Sequence, residues 1–406
     1  MYTMLFKRGQ RVTYDIVLRN AHVIDPSQGI NKVLDVGVSE GRIAALGQVE
    51  NDPQSAELDL HGKYLCPGLV DLHGHWYEGS LFGIDPDICL NHGVTTAVDA
   101  GTTGFVNYHD FRKHCIARAR IRVLAFLNIA AVGIPTPFIG ELQDLRYAMP
   151  REAIELLARE SETLIGVKLR LGESTSGANG AAALGRALEA AIAARLPLMV
   201  HISKGCDTPA TLKRLRAGDI VTHCFEGRGD GLVTDGRMLP EATEARKDGV
   251  VFDVGHGCGS FSWEMAKKAF EHHFYPDTIS TDLHRFSIER WCFDMPTTMS
   301  KFLHLGMTLE EVILKTTYAP AKAIGRAGEI GTMRLGAAAD MLAFTVEEGE
   351  FPLEDTHLRV VLASRMIRPH MTFKAGEPIL PGDARGCLRE LQGCDLEIFR
   401  RVEESA

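Results

Sequence analysis

Leu69-Val70-Asp71-Leu72-His73-Gly74-His75 runs from apolar residues straight into two histidines spaced i, i+2. In an extended strand that spacing turns both imidazoles to one face, which makes half a metal site at the strand's carboxyl end. Other apolar runs end in the same way. The run 164–167 enters Lys168, 198–200 enters His201, 220–222 enters His223, and 278–281 enters Asp282. Histidine and carboxylate suit zinc and similar borderline divalent ions. The lysine is the odd member, because an ammonium repels a cation. It fits only as a neutral amine or in a modified form. A neutral amine captures carbon dioxide to become a carbamate, an anion with two oxygens able to bridge two metals.

These strand ends recur along a chain of 406 residues, long enough for one large domain and one small one. The composition is that of an ordinary globular protein. A net charge of −9 with no basic stretch argues against nucleic acid as a partner. No apolar run is long enough to cross a bilayer, so no membrane partner is expected. The opening residues lack a signal-peptide core. Nine cysteines without a CxxC pair point to unpaired thiols in a reducing cytoplasm. Cys206, Cys224 and Cys258 fall near the expected mouth of the site.

The segment preceding position 66 reads as short strands with turns, at 14–20, 22–24, 34–39 and 42–46. Between about 67 and 325, apolar runs alternate with amphipathic stretches, the pattern of βαβ units. Eight runs serve as barrel strands: 69–75, 95–100, 122–129, 165–170, 198–201, 220–223, 250–256 and 278–284. Helices are expected at 152–164, 181–194, 208–217, 261–274 and 308–324, the third with Thr208 as its cap. The fold class is therefore α/β, a TIM (β/α)8 barrel. The open doubly wound alternative lacks its glycine-rich dinucleotide turn. Strand character returns at 341–345 and 377–381. We expect residues 1–65 and 327–406 to build a small β-sandwich domain from both chain ends, around a barrel spanning 66–326.

With these residues in view, the chain resembles the amidohydrolase superfamily over nearly its whole length. PGLVDLHGH is similar to the family's strand-one signature, and Gly331-xxxx-Gly336-xx-Ala339-Asp340 resembles its returning β segment. The resemblance implies a metal-dependent hydrolase holding two divalent ions, zinc foremost. His73 and His75 would bind the more buried ion, and His201 and His223 the other. N6-carboxylated Lys168 would bridge them. Asp282 would be both ligand and acid/base, serving a metal-bridging hydroxide that attacks an amide or ester carbonyl. Dihydroorotases usually carry an arginine two positions after the second histidine; here that position is Tyr77. The departure shifts the reading towards a deacetylase branch acting on small acylated hydroxy acids or amino acids. Cyclic amide hydrolysis is the alternative, with a mononuclear deaminase or a non-catalytic binding protein behind it. Homo-oligomer formation is left open.

Four further residues are candidates for substrate binding. Arg170 shares a strand face with Lys168 and could hold a substrate carboxylate, or pair with a loop acid instead. His284 stands in the same relation to Asp282. His256 ends the seventh strand and reads equally as a hydrogen-bonded neighbour of the ligands. Tyr77 could donate to a carbonyl or pack against Trp76. Asp99 is read as a turn cap. The stretch Glu226-Gly227-Arg228-Gly229-Asp230-Gly231 is no phosphate loop and reads as a loop shaping the pocket. The stretch 172–180 is either a lid or an exposed linker.

Overall fold

Seven of the eight apolar runs pair side by side in sequence order, every neighbouring pair parallel. The structure, a computed structural model, describes residues 13–50, 53–136, 138–229, 231–234 and 236–382. Asp230 and the two ends of the expected terminal domain, 1–12 and 383–406, lie outside the described residues.

The strands are Leu69–Gly74, Val94–Ala100, Arg122–Asn128, Leu164–Leu171, Leu198–Ile202, Ile220–Thr222 and Val251–Asp253. The eighth run, 278–284, closes the ring without forming a regular strand. Thr278 bridges Asp253 on one side, and Leu283 bridges Gly74 on the other, both in parallel. Its carbonyls still accept N–H groups from both neighbours, but the Thr281 N–H turns to the Asp71 carboxylate and Asp282 takes φ 49°, which interrupts the regular strand. The Thr278 and Ser280 hydroxyls donate to Asp253, and the Thr281 N–H and hydroxyl donate to Asp71. Asp71 thus ties the first run to the last, and burial raises its carboxyl to about 7.

Val70, Leu72, Val98, Phe126, Ile165, Met199 and Ile220 pack inside the ring as one apolar cluster. That cluster is the floor beneath the carboxyl-end residues. Strict alternation from Val70 and Leu72 would send Gly74, not the histidines, inward. The first strand slips register against the second between Asp71 and Gly74, and His73 and His75 reach the interior.

Helices pack outside, and their ends follow local chemistry. Gly180–Ala194 keeps the expected bounds to within one residue, whereas the helix expected at 152–164 is Pro150–Arg159 and Leu164 already opens the next strand. Thr208–Leu212 is capped by Asp207, whose carboxylate accepts the Ala210 N–H; Thr208, expected as the cap, is the first helical residue. The expected helix 308–324 is two, Leu309–Thr316 with a Thr308–Glu311 capping box and Tyr318–Ala323.

The chain ends join in a separate sheet of eight strands. Ile16–Asp25, Ile30–Ser39, Arg42–Gly47, Ala56–Asp59 and Tyr64–Pro67 come from the front, and Met341–Glu354, Val360–Lys374 and Glu377–Ile379 from the back. The two expected strands at 14–20 and 22–24 are one, bulged where Asn20 takes φ 56°. This sheet has its own core around Leu18, Val36, Leu65, Met341 and Phe373. No helix among the described residues is long and apolar enough to cross a membrane.

Candidate metal centre

A cavity of about 210 Å³ opens at the carboxyl ends of the barrel strands. His73, His75, Lys168, His201, His223 and Asp282 all line it, together with Arg170 and His284. Residues far apart in sequence meet here because each lies in the carboxyl half of one segment of the same ring or just past it. His223, just past the sixth strand, and Asp282, within the eighth run, have φ of 71° and 49°. Left-handed backbone at two non-glycine residues costs free energy, and it recurs at functional sites, where surrounding structure holds it.

His73, His75 and Asp282 offer ligand atoms within 4.8 Å of one another. Asp282 Oδ1 lies 3.4 Å from His73 Nε2 and 3.2 Å from His75 Nε2, and takes no hydrogen bond among the described residues. A buried carboxylate oxygen without a donor costs free energy that a cation would recover. The histidines are oriented from behind. His73 Nδ1 sits 2.8 Å from the Thr222 hydroxyl, which itself donates to Asp253, so the imidazole is the donor. His223 Nδ1 donates to the Gly255 carbonyl at 2.7 Å. His75 Nδ1 contacts the Thr102 hydroxyl at 2.7 Å. With Nδ1 occupied, Nε2 is left with its lone pair towards the cavity, as metal-binding histidines require. His201 stands edge-on to His223, ring centroids 4.4 Å apart.

Electrostatics agree with neutral donors. Burial lowers the imidazoles of His73 and His201 well below their ordinary range, His75 to about 3 and His223 to about 4. Burial also raises the Asp282 carboxyl. Lys168 is 1 % exposed; its Nζ lies 3.4 Å from His73 Nε2 and from Met199 Sδ. Burial brings its amine down to about 7, within reach of the neutral form. The donor set, neutral imidazoles, an unpaired carboxylate oxygen and a neutralisable amine, fits a divalent cation.

The four expected substrate-binding residues divide. Arg170 lines the cavity and also pairs with buried Glu141 at 3.4 Å. His284 lines it too, beside Phe82 and Phe286. Tyr77 and His256 do not line it. The Tyr77 hydroxyl donates to Asp110 at 2.8 Å, away from the centre. His256 is fully buried, stacked on Phe261, and its Nε2 takes a 2.6 Å hydrogen bond from Lys301 Nζ. Asp99 accepts the Trp76 and Thr102 N–H groups, the turn role expected of it. The 172–180 stretch is no loose linker: Thr175 and Ser176 are buried and Ser174 reaches the cavity wall. Cys258 lines the cavity, whereas Cys206 and Cys224 are buried outside it.

Glu226 and Arg228, from the stretch expected to shape the pocket, are in the wall, and several wall residues escaped sequence reasoning: Phe82, Ile134, Ser203 and Phe286. They sit on loops beyond the strand ends, where no periodicity marks an inward side chain. Asp253 also escaped, although a lone carboxylate inside the apolar run 250–254 was a usable signal for a hydrogen-bonded anchor.

Residues 64–378 match the family model described as "Amidohydrolase family". A protein named deacetylase from Brucella anthropi is 34% identical over 349 residues, covering 84% of this chain and 86% of its own. Two solved structures superpose with a TM-score of 0.84 at 30% identity, each covering 90% of this chain and 99% of its own. One is titled an adenine deaminase and the other a dihydroorotase. Equal superposition under two titles means that the backbone alone does not choose a substrate.

Proposed function

This chain belongs to the amidohydrolase family, and on that premise we propose that it is a two-metal hydrolase removing the acetyl group from a small acylated hydroxy acid or amino acid. The observation that carries this is the ring of His73, His75, Lys168, His201, His223 and Asp282 around one cavity. A mononuclear site has no use for a buried lysine there; a carbamate at Lys168 gives that position a role and supports a pair of ions. Zinc suits these ligands best.

His73 and His75 would hold one ion with Asp282, and His201 and His223 the other, with carboxylated Lys168 between them. When bound, the pair supplies an ionised water near neutral pH and polarises the acyl carbonyl. The chain's own groups do the rest. Asp282, raised by burial, takes a proton at the carboxylate oxygen and returns it to the leaving nitrogen or oxygen. His284 lies beside it on the substrate side. A cavity of about 210 Å³ suits a small substrate. The wall holds two guanidinium groups, Arg170 beside Glu141 and Arg228, more cation than that one acid offsets, which favours a substrate that carries a carboxylate.

The name of the long-range relative favours deacetylation over ring opening. Tyr77 favours it as well, since that position offers the cavity no cation. The test is a screen of metal-loaded protein against N-acetyl amino acids, O-acetyl hydroxy acids and cyclic amides, dihydroorotate included. Acetate release from the acyclic compounds is expected. Fast ring opening with no acetate release would overturn the proposal. Asp282→Asn should lower turnover by about 10²–10⁴-fold while much of the metal is retained.

A further inference from the structure

The cavity has two guanidinium groups, and their surroundings differ. Arg170 is already compensated. Its Nη1 lies 3.4 Å from Glu141 Oε2, an acid only 4 % exposed. A substrate anion would have to share that cation with a resident carboxylate in a low-dielectric wall. Arg228 comes from the loop after the sixth strand and is half-buried. Its guanidinium makes no ion pair or hydrogen bond among the described residues; only its backbone N–H is engaged, donating to Glu226 Oε1 at 2.7 Å.

The seat of that guanidinium is specific. A Cβ placed on Gly259 would lie 3.1 Å from Cζ, 3.1 Å from Nη2 and 3.2 Å from Nη1 of Arg228. Near-equal distances to three atoms of one plane mean that the guanidinium turns its face to the side of Gly259 where a Cβ would stand. Its N–H edge is thereby left for a partner in the plane, the geometry in which arginine grips a carboxylate with two parallel hydrogen bonds. Gly259, Ser260 and Cys258 line the cavity around it, so small side chains leave the approach open.

We infer that Arg228, not Arg170, is the substrate-binding residue that holds the carboxylate of the acylated acid. The inference rests on the proposed hydrolase reading for its substrate class. It makes the loop 224–229, positioned by the seventh-strand loop beneath it, the element that selects acids over neutral acyl compounds. Arg170 becomes a wall residue whose charge belongs to Glu141.

The test compares O-acetyl-lactate with O-acetyl-lactamide as substrates, and lactate with lactamide as calorimetric ligands, on metal-loaded protein. Arg228→Met should raise KM for the acid and weaken lactate binding by about 10- to 100-fold, with kcat less changed. The lactamide pair should be unaffected. Arg228→Lys should recover part of the loss. Gly259→Ala, which crowds the guanidinium without removing it, should shift the acid in the same direction by a smaller factor. Arg170→Met should treat acid and amide alike. Equal losses for acid and amide in Arg228→Met would overturn the inference, as would an acid-selective loss in Arg170→Met. Wild-type protein that binds lactate no better than lactamide would overturn it too. If neither acetyl ester is hydrolysed, the deacetylase reading fails separately, and the lactate contrast still decides the role of Arg228.

Discussion

Among the expected ligands in the cavity wall, Lys168 is the residue whose ordinary charge suits a cation least. The sequence marks it as anomalous among metal-binding types, and the structure makes the anomaly sharper by burying it. Its amine binds a proton at about 7 in the metal-free folded protein and near 10.5 when free of the fold. Between those values the unfolded chain holds more protons, so this residue makes stability rise with pH. Below pH 7 both states are protonated and the whole cost of the buried ammonium stands. Lys168→Met removes that cost. In metal-free, carbon-dioxide-free buffer, the variant's gain in unfolding free energy should be full below pH 7 and fade as pH rises towards 10.5. Denaturant titrations at pH 6, 8 and 10 check this; a gain that stays constant across them would show that the ammonium is not what burial penalises.

At the scale of elements, the site residues sit in the carboxyl halves of their strands and in the turns that follow. The turn after Val94–Ala100 shows how little slack there is. Gly101 has φ 77°, and a Cβ there would fall 2.5 Å from Lys168 Cβ and 2.6 Å from its Cγ. Gly101→Ala therefore carries both a backbone penalty and a direct clash, together roughly 1–3 kcal/mol of overpacking. Because the clash is with Lys168, the expected result is a folded protein with less metal and much less activity than its modest drop in melting temperature suggests. Metal analysis beside a thermal scan measures this, and normal metal content would clear the turn of any such role. Elements were the readable level of the sequence. The period-two runs ended where polar residues interrupted them, and capping residues set most helix starts to within a few positions. The eighth run was legible as a segment but not as a broken ladder. Its irregularity comes from the Thr281 N–H turning to Asp71, a partner 210 residues away, and from the left-handed backbone of Asp282.

For the molecule as a whole, the barrel and the centre depend on each other. The six residues come from the first, fourth, fifth, sixth and eighth segments of the ring, so an ion held by them would brace it. Whatever binds the folded chain and not the unfolded one stabilises it by mass action, about 2.7 kcal/mol at a hundredfold excess over Kd. Dialysis against a chelator should lower the melting midpoint, and returning zinc should restore it. An unchanged midpoint after verified loss of metal would mean that the ring stands without it. The sequence alone determined the alternation of strands and helices, the return of both chain ends to strand, and the residue types at the strand ends, because each is written in local periodicity and spacing. Tertiary structure decided which wall residues face the cavity, turning Tyr77 to Asp110 and His256 to Lys301 and bringing Arg228 and Phe82 in. Those outcomes depend on register slips, loop paths and partners 33 and 45 residues apart, and no short-range pattern encodes them.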